Sequence, residues 1–281
     1  MARLSLLCIE AIGDNYPLEV AHYHPYEKRS TDLVVVINSG AGISKSLYEP
    51  FACWLADHGV SVIAYDYRGI GGSRRQDLRG LRASIREWGS KDCAAVVNYA
   101  RRRFPQAKLC LFAHSIGSVV TGFVSNPPQI DAMLMLSPHT GFAGDYAAAS
   151  KYRMFILWHV FMPIITRITG FFPGKALGFS EDLPFDIASE WASRRFAANV
   201  RSDADVGAFV QFKGKALIVR PLDDPFATEA AARRITSQFP NTSFFDLPIE
   251  IGRTKIGHFG FFGRRRRETL WPLALRWFIE N

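Results

Sequence analysis

The 281 residues, 48% of them apolar, can bury a substantial core and fit one large α/β domain better than two independent ones. The formal charge of +8 is concentrated at Arg101–Arg103 and Arg264–Arg267, which reads as solvated structural surface, so no nucleic-acid partner is expected. The longest apolar stretch, residues 154–165, contains His159 and Pro163 and falls short of the ~20 residues that cross a bilayer, which excludes a transmembrane helix.

In chain order, residues 1–10 carry one Arg in a short apolar stretch, but Glu10 and Asp14 follow without a small-residue cleavage site. The segment therefore reads as a first strand rather than a signal peptide. Residues 5–11 and 18–23 form an expected antiparallel pair. A buried strand follows at 33–37, with a glycine-rich turn at 39–42 and a helix over 48–58 that stops at Gly59. A strand at 60–65 leads into the loop Arg68–Ser73, reading RGIGGS, and then a helix over 84–104 ended by Pro105. The short central strand 109–112 runs straight into Ala113–Gly117 and a helix over 116–124. Strands at 132–137, 216–219 and 243–247 and helices at 228–239 and 269–280 complete the pattern. This alternation predicts a mostly parallel eight-stranded sheet flanked by helices.

Residues 141–214 do not fit one crossover connection. They are expected to form a helical cap inserted into a core made of residues 1–140 and 215–281. Its aromatics Phe155, Trp158, Phe161, Phe171, Phe172, Phe179 and Trp191, interrupted by Pro163, Pro173 and Pro184, would fasten the cap to the core or line an apolar pocket. The cysteines Cys8, Cys53, Cys93 and Cys110 have none of the close spacings of zinc or redox pairs; they read as buried free thiols in a reducing, cytoplasmic compartment.

A serine hydroxyl becomes a useful nucleophile only beside a base that a third group orients. Ala113-His114-Ser115-Ile116-Gly117 follows a short strand and opens a helix, the setting of a nucleophile elbow, with Ser115 at its tip. Asp223 and Asp224 both follow the strand 216–219, at the carboxyl edge where parallel sheets bind ligands. His258, in a loop before the last helix, is placed to reach back across that edge. The chain order Ser, Asp, His is the α/β arrangement of this chemistry. His114 reads as a structural neighbour of the nucleophile, and His22, His24, His58, His139 and His159 have no comparable setting. Oxyanion donors are expected from the main-chain N–H groups of Ile116 and, in Ser39-Gly40-Ala41-Gly42, of Ala41. That turn lacks the Gly-Lys-Ser/Thr of a phosphate loop, and RGIGGS misses the dinucleotide fingerprint.

The motifs SGAGISKSLYEPFACWLADHG, YDYRGIGGS, WGSKDCAAVVNY, AHSIGS, LDDPF and IGHFGFF stand in the order of the α/β-hydrolase superfamily, which the chain resembles over nearly its whole length. More narrowly, it resembles uncharacterised bacterial hydrolases of the serine aminopeptidase and monoacylglycerol lipase-like type. Ala113 stands where that family usually has glycine, and Ser39-Gly40 where it often has His-Gly. The resemblance favours Asp224, immediately before Pro225, as the triad acid, with Ser115 as nucleophile and His258 as base. It implies an acyl-enzyme, a small-molecule acyl substrate, no metal and no organic cofactor. It argues against haloalkane dehalogenase and epoxide hydrolase chemistry, which place a carboxylate where Ser115 stands. Ester or thioester hydrolysis is the leading expectation. An acyltransferase would use the same residues, a non-catalytic relative would bind ligand without turnover, and a basic-surface protein would act through Arg264–Arg267.

Overall fold

A computed structural model describes residues 3–26, 31–124, 130–194, 212–236, 241–248, 250–251 and 254–281. Its main sheet has eight strands: β1 (Arg3–Glu10), β2 (Pro17–His24), β3 (Leu33–Asn38), β4 (Ser61–Tyr65), β5 (Lys108–His114), β6 (Ala132–Leu136), β7 (Lys215–Pro221) and β8 (Thr242–Leu247). They lie in the order β1-β2-β4-β3-β5-β6-β7-β8. The β1–β2 and β2–β4 pairs are antiparallel, and every other pair is parallel. The expected mostly parallel sheet is therefore present.

Covered parallel strands must be apolar on both faces. In β5 the two-residue alternation sends Leu109, Leu111 and Ala113 into one apolar cluster and Cys110 and Phe112 into the other. The first cluster is closed by α2, built from Ile85–Glu87, a π-helical turn Trp88–Cys93 and Ala94–Arg103, and by α3 (Gly117–Thr121). α1 (Glu49–Asp57) and α7 (Trp271–Glu280) close the second. From β3 the chain steps to β4 on one side and returns to β5 on the other, so a crevice opens between the carboxyl ends of β3 and β5, the usual ligand position in such sheets.

Several expectations change in detail. The helix expected over 84–104 is broken by the π-helical turn. There Gly89 packs against α3 so closely that a Cβ would lie 2.3 Å from the Val120 carbonyl oxygen. The helix after Ser115 is confined to Gly117–Thr121; of the residues just beyond it, 125–129 lie outside the described residues, as do 237–240 after α6 (Glu229–Thr236). Of the four free cysteines only Cys93 and Cys110 are buried; Cys8 is exposed, because β1 is the sheet's edge strand and turns it outward.

Between β6 and β7 the chain builds α4 (Ala148–Ile156, a π-helical turn Leu157–Phe161 and Met162–Thr169), a small hairpin pairing Phe171–Phe172 with Leu183–Pro184, and α5 (Phe185–Ser193). Gly170 ends α4 in the left-handed conformation at φ 82°. Residues 195–211, the end of the segment expected as a cap, lie outside the described residues.

Candidate active site

Ser115 joins β5 to α3 with φ 57°, a left-handed backbone that costs a non-glycine residue about 1–3 kcal/mol. The turn is held on both sides: the Ser115 N–H donates to Leu136 O at 2.9 Å, and its carbonyl accepts from the Ser118 N–H at 3.1 Å. Gly117 is required because a Cβ there would fall 2.6 Å from Asn38 O and 2.7 Å from Ser39 O. A Cβ on Gly40 would approach that of Ser115 to 3.4 Å, so the loop after β3 lies against the serine. In that loop the Gly40 N–H is taken by Tyr48 Oη at 2.9 Å. Among the described residues the N–H groups of Ala41 and Ile116 have no intramolecular acceptor. Ile116 directly follows the serine, and Ala41 lies in the loop packed against it.

Asp224 follows β7 in a tight turn closed by its own N–H to Pro221 O at 3.0 Å. Its Oδ1 accepts from the N–H of Phe226 at 2.9 Å and of Ala227 at 3.3 Å, and Oδ2 lies 2.7 Å from His258 Nδ1. Burial would raise this carboxyl. The charge and hydrogen bond of His258, the Phe226 amide and the Ser137 hydroxyl outweigh burial and hold it well below the usual carboxylate range. Asp223 does a different job: its two oxygens accept from the N–H groups of Ile256 at 2.9 Å and Gly257 at 2.8 Å, fastening the loop that carries His258. Arg266 supports the same loop through the carbonyls of Ile251 and Thr254, and its burial departs from the expectation that Arg264–Arg267 is wholly solvated.

A buried relay ties the His258 loop to the Gly40 loop. His114 Nε2–H donates to the His258 carbonyl at 3.0 Å, which leaves Nδ1 to accept from Tyr48 O–H at 2.9 Å, while Tyr48 Oη accepts from Gly40. Burial and the neighbouring His258 hold His114 well below the usual histidine range, so it is neutral.

The hydrogen-bond partner of Ser115 Oγ is a residue that sequence reasoning passed over: His139 Nε2, at 2.9 Å. His139 follows β6 in Ser137-Pro138-His139, at the carboxyl end of the strand next to β5. The positional argument that selected Asp224 after β7 applies equally there. Only the lack of a recognised motif around it hid the signal.

Ser115, His139 and His258 open on a cavity of about 340 Å³ whose walls also include the Gly40–Ile43 loop, Phe226, Phe259 and the segment between β6 and β7. Trp158, Met162, Phe172, Phe179, Leu183 and Trp191 make that segment's share almost wholly apolar. Of the aromatics expected to fasten or line, Phe155 and Phe161 are instead exposed. The one carboxylate on the wall, Glu181, is paired with Lys175 at 2.9 Å. Among the described residues no group of three His, Cys, Asp or Glu could hold a metal ion, and no helix is long and apolar enough to cross a membrane.

This strand order, with a strained serine turn after its central strand, is that of the α/β-hydrolases. The sequence model of the family described as serine aminopeptidase, S33, matches residues 29–195, and the chain belongs to that family of hydrolases. The match includes Ser115 and His139 and ends before Asp224 and His258. No curated protein matches the sequence. Similar solved structures include a thermophilic esterase from Thermogutta terrifontis, 14% identical with TM-score 0.65, covering 98% of each chain. An esterase from Pyrococcus furiosus is 17% identical, with TM-score 0.62, over 99% of this chain and 90% of the other. Est1E from Butyrivibrio proteoclasticus, solved with ferulic acid bound, is 16% identical with TM-score 0.59 over 98% of each. At these identities the likeness is one of fold.

Proposed function

We propose that the protein hydrolyses a carboxylic ester or thioester bearing an apolar acyl group, through an acyl-enzyme on Ser115. The observation that carries this reading is the Ser115 hydroxyl, at the tip of a strained turn, opening on an apolar cavity shared with the His258–Asp224 pair. Asp224, a carboxylate that only accepts, keeps the His258 proton on Nδ1 and leaves Nε2 as the base. His258 takes the Ser115 proton as Oγ bonds the acyl carbon, and the carbonyl electron pair moves onto oxygen, opposite the N–H groups of Ala41 and Ile116. Collapse breaks the bond to the alcohol or thiol, which leaves with the proton held by His258. Water then gives a proton to His258 and attacks the acyl carbon, and Oγ departs with that proton. In this reading the segment between β6 and β7 is a cap whose aromatic face receives the acyl chain, as apolar pockets with few polar groups do for small ligands.

A fluorophosphonate probe, followed by peptide mass spectrometry, tests the nucleophile without a chosen substrate. The expected result is one adduct on Ser115 that is absent from Ser115→Ala, with ester turnover increasing from acetyl to longer acyl groups. A folded protein that takes no adduct, or an adduct that persists in Ser115→Ala, overturns the reading.

A further inference from the structure

We infer that His139 is a second catalytic imidazole, a fixed neutral hydrogen-bond donor to Ser115 Oγ that directs the serine proton toward His258. The inference rests on the reading of Ser115 as nucleophile and adds a residue that the elbow, acid and base do not include.

The tautomer of each imidazole is fixed by the partner of its Nδ1. His139 Nδ1 lies 3.2 Å from the main-chain N–H of Gly141, a group that can only donate. Nδ1 therefore presents a lone pair, and a neutral ring must carry its proton on Nε2, the atom 2.9 Å from Ser115 Oγ. His258 is set the opposite way, because Nδ1 faces the Asp224 carboxylate and must be the protonated nitrogen. Two imidazoles of opposite tautomer thus serve one hydroxyl. His139 cannot take the serine proton without first losing its own; by donating to a lone pair of Oγ it leaves the O–H free for His258.

The surroundings hold His139 in that state. Burial, the neighbouring His258 and Arg194 bring its pKa down to about 3, so the ring is neutral at neutral pH. Its ring stacks on Phe226 with centroids 5.6 Å apart and meets Trp191 edge-on at 5.7 Å. Two residues earlier Ser137 has φ 52°, one of three non-glycine residues with positive φ among the described residues, together with Asn15 and Ser115. Beyond the ring, Arg194 donates to Thr140 O at 2.9 Å and Tyr146 to Gly141 O at 3.0 Å. Strain at the ends of both neighbouring strands, β5 and β6, brings this imidazole and this hydroxyl together.

As the O–H bond breaks, negative charge grows on Oγ, and the His139 N–H faces it. The same bond steadies Oγ when it departs from the acyl carbon in deacylation. Loss of one donor aimed at a carbonyl oxyanion costs on the order of 10²–10³ in rate, which sets the upper bound for a donor to Oγ. His139→Leu is expected to slow fluorophosphonate labelling and ester turnover at least about tenfold and by no more than that factor, while His139→Gln, which keeps an N–H donor, recovers most of it. In the unmodified protein, ¹⁵N NMR of labelled histidine, assigned with His139→Gln, is expected to show a neutral Nε2–H ring between pH 5 and 8, a readout independent of any variant's folding. An Nδ1–H or charged ring over that range overturns the inference, as does unchanged labelling in folded His139→Leu. Labelling that survives His258→Ala but not His139→Leu also overturns it by making His139 the base. If labelling of Ser115 itself is missing, the nucleophile reading has failed instead.

Discussion

The adjacent carboxylates Asp223 and Asp224 separate the chemistry of the site from its scaffolding. Asp224 bonds the base and the amides of its own turn, whereas Asp223 bridges two amides of the His258 loop. Asp224→Asn offers the ring no acceptor that requires a proton on Nδ1, so the tautomer is lost and turnover should fall roughly 10³–10⁴-fold. Asp223→Asn can accept only one of the two loop hydrogen bonds well, so it should lower the thermal midpoint and reduce turnover less. Steady-state kinetics with thermal melts on both variants checks this; equal kinetic losses would remove the distinction. The sequence alone placed both carboxylates at the right strand end, because position after a parallel strand is legible in hydrophobic patterning. Their division of labour was not legible, since it depends on side-chain direction within one turn. His139 stood at a legible position without a motif to mark it, and its role was not legible, because its ring nitrogens acquire meaning only from the Gly141 amide and the Ser115 hydroxyl that the fold sets around them.

Within the elements, the motif YDYRGIGGS, whose RGIGGS misses the dinucleotide fingerprint, proves to be a clamp. Arg68 donates to Asp92 through Nε at 2.9 Å and Nη2 at 2.6 Å, and to Asp14 through Nη1 at 2.7 Å. Asp66 receives the Lys45 amide and ammonium and the Gly72 amide. These bonds join the loops after β3 and β4 to the π-helical turn of α2, which carries Asp92. Strands were legible because two-faced burial demands unbroken apolar runs. The π turn was not, since one extra residue in a helix barely disturbs a hydrophobic period that tertiary packing at Gly89 then overrides. Removing one member of a buried ion pair strands the other charge in a dry environment. Arg68→Leu should therefore destabilise the fold by about 3–5 kcal/mol, and the double variant Arg68→Leu/Asp92→Leu should recover much of that. Urea denaturation of the two proteins decides it: a double variant as unstable as the single one would mean that Arg68 works through Asp14 instead.

For the whole molecule, the buried histidines set the acid limit of the fold. His22, bonded to Ser61 Oγ at 2.7 Å, is brought down to about 4 by burial and by the nearby His24 and Arg103. His139 is brought down to about 3 and His114 well below its ordinary value, in both cases chiefly by burial. In the unfolded chain each titrates near 6.5. Between that value and the folded one the unfolded chain binds protons that the folded chain refuses, so stability is complete above about pH 6.5 and declines as the pH falls. The slope approaches about 1.4 kcal/mol per pH unit for each group, levelling for His22 near pH 4 and for His139 near pH 3. Asp92, raised by burial to about 6, works in the opposite sense between there and its ordinary value near 4, but it is one group against three. Asp224, held low, adds to the loss only below about pH 4. The thermal midpoint should therefore drop steadily from pH 6.5 to pH 4. His22→Gln, far from the cavity and still able to bond Ser61, should make that decline shallower without altering fluorophosphonate labelling at neutral pH. An unchanged slope in His22→Gln would mean that His22 gains its proton without unfolding, and the acid limit would then fall to the two histidines beside Ser115.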